Sequence, residues 1–202
     1  MLLEINPHNP QLRLIQQVVD RLKSGGVICY PTDTGYGIGC DIFNPKAIKQ
    51  VSLIKHRPKH KPFSFICSDL THISNYAHVS NTAYRLLKKR LPGPYTFVLP
   101  GTKVVPNVMI TKQKTVGIRV PDNPISQLLI ETLGNPLVNT SLPAEDAPPP
   151  ADPYDIEQLL GNRVDLVIDG GIIVSDPSSV IDLTGDYPVI LREGKGDVTP
   201  FR

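Results

Sequence analysis

Residues 9–34, NPQLRLIQQVVDRLKSGGVICYPTDT, decide the fold class. Leu12, Ile15, Val18, Val19 and Leu22 recur at the spacing of one helix face, behind Asn9 as N-cap and Pro10 at the first helical position. Gly25-Gly26 stops that helix, and the apolar run 27–30 reads as a short buried strand ended by Pro31. The same grammar repeats along the chain. Asn44-Pro45, Asn123-Pro124 and Asp152-Pro153 open helices expected from 45 to about 55, over 124–133 and over 153–160. Ser80 caps another, expected to run through Leu91 before Pro92-Gly93-Pro94. Strands are expected at 63–67, 95–99, 115–120, 137–139 and 164–168, with 180–183 and 189–192 pairing around Gly185-Asp186. Strands alternating with helices define an α/β chain, and the cluster of strands near the end makes the sheet mixed rather than purely parallel. The expected architecture is one domain over 1–202.

The composition, 40% hydrophobic and 20% charged, is that of a globular protein. No apolar run approaches the roughly 20 residues that span a bilayer, and the first residues have neither a basic start nor an apolar signal core. Cys29, Cys40 and Cys67 show no metal-type spacing, so the expected compartment is a reducing cytoplasm. The net charge of +2 conceals an asymmetry. Residues 42–121 hold fourteen Lys or Arg and one acid, Asp69, a net of +13, whereas 122–202 hold fourteen acids against four bases, a net of −10. Either the basic stretch presents a field that attracts polyanions, or the two stretches interleave and neutralise each other.

The common catalytic signatures are absent. Gly35-Tyr-Gly-Ile-Gly39 is not GxGxxG, and no GxxxxGK[ST], HExxH or GxSxG occurs. The five histidines show no helical metal-ligand pairing. What remains is Lys55-His-Arg-Pro-Lys-His-Lys61, with basic or potentially basic side chains at six of seven positions. Pro58 and Pro62 resist helix, so this is a loop between helix and strand. Arg57 offers a planar fork while Lys55 and Lys61 act as point charges, a combination suited to polyphosphate. The alternative is an exposed basic loop. Thr32-Asp33-Thr34, just past a strand, offers two hydroxyls and a carboxylate for an amino acid's ammonium and side chain, or else a backbone-fixing turn.

Taken in order, these pieces resemble the YrdC/YciO family, whose best-known members are threonylcarbamoyl-AMP synthases. The matching stretches are Tyr30-Pro-Thr-Asp-Thr-Gly-Tyr-Gly-Ile-Gly39, Lys55-His-Arg-Pro58 with Lys61-Pro62, and Gly93-Pro94-Tyr95-Thr96. Then come Gly117-Ile-Arg-Val-Pro121 with Asn123-Pro124, Pro136-Leu137 with Thr140-Ser141, Ser178-Ser-Val-Ile-Asp182, and Leu191-Arg-Glu-Gly194. The resemblance covers nearly the whole chain.

The resemblance implies a single α/β domain with a twisted mixed sheet and a concave basic surface. It implies an enzyme that joins L-threonine, bicarbonate and ATP into threonylcarbamoyl-adenylate and pyrophosphate, with Mg²⁺ carried by the nucleotide. Partner proteins would then pass the threonylcarbamoyl group to tRNA. By motif, Lys55, Arg57, Lys61, Thr115, Ser141 and Arg192 would hold ATP, with Lys55 and Arg57 acting on the reacting phosphates. Thr34, Arg119, Asn139 and Ser179 would hold threonine, Arg119 pairing its carboxylate; a structural ion pair is the other reading of Arg119. The alternative function is non-catalytic binding of double-stranded RNA or tRNA on the same basic surface. One departure stands out. The synthases carry Ser-Ala-Asn after the Pro-Leu strand, whereas this chain has Ser141-Leu142-Pro143 followed by acidic residues. That pattern resembles the YciO branch and implies a weak or altered synthase activity.

Overall fold

A computed structural model describes residues 1–56, 63–143 and 148–202. In chain order it contains β1 (Leu2–Glu4), α1 (Leu12–Lys23), β2 (Ile28–Thr32), β3 (Gly35–Gly39), α2 (Pro45–Ile54), β4 (Ser64–Ile66), α3 (Leu70–Tyr76) and α4 (Asn81–Lys88). These are followed by β5 (Tyr95–Pro100), β6 (Thr115–Arg119), α5 (Pro124–Leu133), β7 (Leu137–Ser141), α6 (Pro153–Leu160), β8 (Leu166–Asp169), β9 (Ser179–Asp182) and β10 (Val189–Arg192). The strands form one sheet in the order β1-β8-β2-β3-β7-β4-β6-β5-β9-β10. The joins β1–β8, β8–β2, β4–β6 and β5–β9 are parallel, and the other five are antiparallel. The sheet is therefore mixed, as expected. No helix among the described residues is long and apolar enough to cross a membrane.

Capping chemistry sets most helix starts. The side chains of Asn44, Asn123 and Asp152 accept from the backbone N–H of Ala47, Ser126 and Tyr154, and Ser80 accepts from Ala83. The first pair, Asn9-Pro10, does not behave this way. Helix α1 begins at Leu12 with Gln11 as N-cap and no side-chain cap bond, while Asn6 accepts from the N–H groups of His8 and Asn9. An Asx-type turn one step earlier has taken over the chain reversal. Helix α4 ends at Lys88, and a further turn carries Leu91 N–H onto the Leu87 carbonyl.

Strand β2 runs through Pro31 rather than ending before it. Its pairing with β8 stops at Cys29, so the proline nitrogen breaks no ladder on that side. Residues 35–39 form a strand antiparallel to β2. The glycine alternation has a packing cause: a Cβ on Gly39 would stand 2.8 Å from the Tyr30 ring and 2.2 Å from the Val138 carbonyl. A Cβ on Gly37 would stand 2.7 Å from Asn139 Oδ1. The bare strand lets Tyr30 lie across it.

Side chains alternate between two apolar layers. On one face Ile28, Tyr30, Ile66 and Leu137 meet α1 through Ile15, Val18, Val19 and Leu22, and α5 through Ile125, Leu129, Ile130 and Leu133. On the other, Cys29, Ile38, Phe65, Phe97, Ile118 and Val138 meet α2, α3, α4 and α6. Each fully buried aliphatic side chain contributes about 1.5–3 kcal/mol of transfer free energy. Helices α1 and α5 cover only part of their face, and the uncovered part holds the site.

Candidate functional site

The floor of the site is a row of small residues on that uncovered face. Gly37 pairs with Ser141, Ser64 pairs with both Asn139 and Gly117, and Gly117 pairs with Val98. Above them lies a cavity of about 370 Å³, lined among others by Thr34, Arg119, Asn139, Thr115, Ser141 and Arg192. The sheet thus brings together six of the residues predicted from sequence. Together they present hydroxyl, amide and guanidinium groups, a polar rather than an apolar lining.

At one end stands Arg119, the last residue of β6 and almost fully buried. Its Nη2 donates to Asp33 Oδ1 at 2.7 Å and to Thr34 Oγ1 at 2.8 Å. Thr32 spends its hydroxyl proton on the Gly35 carbonyl at 2.6 Å, so the 3.2 Å contact between the two threonines runs from Thr34 to Thr32. The hydroxyls therefore form a directed chain that starts at the guanidinium. Burial pulls Arg119 below the usual guanidinium range, and Asp33 opposes that pull. Arg119 Nε and Asp33 Oδ2 are buried and unpartnered among the described residues. A guanidinium this dry, paired through one nitrogen, favours a second anion. Asp33 itself does not line the cavity. It holds Arg119 instead of presenting a carboxylate to an ammonium group, which corrects the sequence expectation for the Thr32-Asp33-Thr34 turn.

On the floor, Tyr30 donates to Asn139 Oδ1 at 2.7 Å, and Asn139 Nδ2 reaches Ser64 Oγ at 3.5 Å. Ser64 Oγ also donates to the Asn139 carbonyl at 3.1 Å. Burial pushes the Tyr30 phenol far above its usual value, so its oxygen keeps the proton and donates.

The opposite wall comes from the end of the chain. Arg192 donates through Nε and Nη2 to the Ser178 carbonyl, at 2.9 and 2.7 Å, and through Nη2 to Ser178 Oγ at 3.1 Å. Ser178 Oγ in turn meets Thr96 Oγ1 at 2.8 Å. The predicted Ser179 is not part of the cavity. Its hydroxyl donates to the Gly196 carbonyl at 2.5 Å and accepts from Gly194 N–H at 3.0 Å, so it is fully used in structure. Strand alternation turns Ser178 toward the site and Ser179 away. Lys195 Nζ donates to the Asp33 carbonyl at 2.5 Å and Asp176 N–H to the Thr34 carbonyl at 3.1 Å, so this segment fastens the hairpin tip.

Lys55 follows α2 as its C-cap. Its ammonium donates to the Leu142 carbonyl at 2.6 Å and to Ser141 Oγ at 3.2 Å, at the Ser141 edge of the cavity. Leu142 is buried in the core, which explains an apolar residue directly after Ser141. Arg57 and Lys61 lie outside the described residues, as do Glu145 and Asp146. Thr115 Oγ1 sits 2.7 Å from Thr111 Oγ1. Among the described residues no group of His, Cys, Asp and Glu is placed to hold a metal. Sequence reasoning did not assign Ser64, Thr96, Ser178 or Lys195. Ser178 and Thr96 were within the quoted motifs, but only strand facing separates Ser178 from its neighbour.

A mixed ten-stranded sheet thus carries, on one face, a polar cavity that two guanidinium groups line. The family model described as "Sua5_yciO_yrdC: Telomere recombination" matches residues 20–194, and the chain belongs to this family. The uncharacterized protein YciO of Escherichia coli K12 is 48% identical over 200 residues, 98% of this chain and 97% of its own length. The crystal structure of E. coli YciO aligns with a TM-score of 0.95 at 46% identity, over 100% of this chain and 99% of that one. The threonylcarbamoyl-AMP synthase of Photobacterium profundum is 30% identical over 184 residues, 89% of this chain and 98% of its own length. The structure of P. abyssi Sua5 complexed with L-threonine has a TM-score of 0.88 at 28% identity, covering 96% of this chain and 57% of that one.

Proposed function

We propose that the protein is a threonylcarbamoyl-AMP synthase-type enzyme, taking L-threonine, bicarbonate and ATP to threonylcarbamoyl-adenylate and pyrophosphate. The observation that carries the reading is the convergence of Arg119 and Arg192 with the hydroxyl or amide side chains of Thr34, Thr115, Asn139 and Ser141 on one cavity. Relatives named as synthases and a relative bound to L-threonine support it.

The chemistry needs no nucleophilic side chain. The threonine amine and bicarbonate form a carbamate with loss of water. A carbamate oxygen attacks the α-phosphorus of ATP, the bond to the β-phosphate oxygen breaks, and pyrophosphate leaves. Negative charge grows on phosphate oxygens, so fixed cations and donors supply the stabilisation. Arg119 takes the threonine carboxylate, with Thr34 beside it. Arg192, Lys55, Thr115 and Ser141 face the nucleotide, and Arg57 and Lys61, near Lys55 in sequence, are assigned to the same phosphates. Mg²⁺ arrives with ATP.

Purified protein incubated with ATP, labelled bicarbonate and L-threonine releases pyrophosphate only when threonine is present. Lys55→Ala slows that release by roughly 100-fold. Threonine-independent release, or equal rates in the variant, rejects the assignment. A second reading, binding of structured RNA, draws on Arg85, Lys88 and Lys89, which α4 exposes. Affinity for tRNA that falls steeply with salt supports it, and salt-insensitive binding opposes it.

A further inference from the structure

Among the described residues Asn139 is the one side-chain amide that lines the cavity, and its orientation is set by its neighbours. Ser64 gives its hydroxyl proton to the Asn139 carbonyl, so only its lone pairs remain for the Asn139 side chain. The group nearer Ser64 must then be the amide nitrogen. Tyr30, fully buried, keeps its proton and delivers it to Oδ1. Both neighbours favour the same rotamer: a flipped amide would leave the Tyr30 proton only the Val138 carbonyl, 3.5 Å away, in place of Oδ1 at 2.7 Å. The acceptor end of Asn139 is consumed inside the protein. Its nitrogen carries two protons, of which Ser64 accepts one across a long 3.5 Å contact. The absent Cβ of Gly37 keeps the space beside Oδ1 open for this arrangement.

We infer that Tyr30 is a positioning residue that locks Asn139 as a pure N–H donor to an oxygen of the amino-acid substrate, its carboxylate or the carbamate built on its amine. The inference rests on the synthase reading above and extends it to specificity. Asn139 pairs with Ser64, and Ser64 with Gly117, two residues before Arg119 on the same strand face. Amide and guanidinium therefore look onto one compartment, and both present only donors to it. A ligand oxygen fits between these two donors, which offer nothing to an ammonium group.

Calorimetric titration of the full chain with L-threonine in the presence of ATP, and with ATP alone, tests the inference. Asn139→Asp, which puts negative charge where the N–H was, weakens threonine binding at least 100-fold and changes ATP affinity less than threefold. Tyr30→Phe removes one oxygen, keeps the ring that packs on β3, and weakens threonine binding about fivefold to tenfold. In the Asn139→Ala background the same Tyr30→Phe change has no further effect on threonine binding, a non-additivity that a merely structural tyrosine does not produce. If the wild-type protein binds threonine but Asn139→Asp binds it equally well, the donor role is overturned and the synthase reading stands. Equal Tyr30→Phe effects in both backgrounds overturn the positioning role of Tyr30. A wild-type protein that binds no threonine overturns the synthase reading and this inference with it.

Discussion

Arg119 and Asp33 meet at 2.7 Å with side chains only 7% and 8% exposed, yet among the described residues each keeps one unpartnered polar atom. A buried ion pair held through a single contact is finely balanced, since neither charge has recovered its full solvation. Asp33→Ala leaves the guanidinium buried without compensation and lowers unfolding free energy by about 3–5 kcal/mol. Asp33→Asn, which retains an acceptor, loses less. Urea denaturation of the two variants gives the ranking, and an Asp33→Ala midpoint equal to wild type contradicts it.

Gly39→Ala tests why three of the five residues of β3 are glycine. The added Cβ would meet the Val138 carbonyl at 2.2 Å and the Tyr30 ring at 2.8 Å, and a strand backbone has no cheap way to retreat. Destabilisation of about 3 kcal/mol or more is expected, compared with near-neutral behaviour for the open Gly185, whose nearest neighbour lies 3.9 Å away. Thermal melts of the pair suffice, and similar losses in both defeat the packing argument.

Ser179→Ala separates structure from binding. It strands Gly194 N–H and the Gly196 carbonyl and costs about 1–3 kcal/mol, while ATP and threonine affinities stay within threefold where the variant is folded. Ser178→Ala does the reverse, releasing Arg192 Nη2 from a hydroxyl and weakening ATP binding. Titration of both variants decides it, and a larger ligand effect for Ser179→Ala refutes it.

His72 gives a pH dependence with a definite sign. Burial lowers its pKa below the usual 6.5, with Asp69 opposing, and Nδ1 accepts from Ser68 N–H at 3.3 Å and so must be unprotonated. The unfolded chain binds the proton more readily, so this contribution is present above about pH 6.5 and is lost as pH falls below it. Wild type should lose more stability than His72→Gln between pH 7 and pH 5. Parallel pH profiles for the two proteins dismiss the effect.

Much of the architecture was legible because short-range chemistry decides it. Asn123-Pro124 and Asp152-Pro153 placed α5 and α6 at their observed bounds, since an acceptor followed by a fixed φ leaves the backbone little choice. Asn9-Pro10 carried the same pattern and failed, because Asn6 offered a competing local turn. Helix α3 was missed: its seven residues are held mainly by the Asp69 cap and two buried contacts, Ile73 and Tyr76, too few to show a period. Pro31 looked like a strand end because its neighbour's register is a long-range fact. The site followed the same division. Arg119 and Arg192 were legible only through the family motifs Gly117-Ile-Arg-Val-Pro121 and Leu191-Arg-Glu-Gly194. The choice between Ser178 and Ser179 depends on which way a strand faces, and the role of Tyr30 on a residue 109 positions away.

The bond from Lys195 to the Asp33 carbonyl ties the last tenth of the chain to a turn made near its beginning. During synthesis, then, the hairpin leaves the ribosome early but stays unfastened until the closing residues emerge. Until those residues are made, neither Arg192 on the cavity wall nor the bond that fastens the hairpin tip is in place.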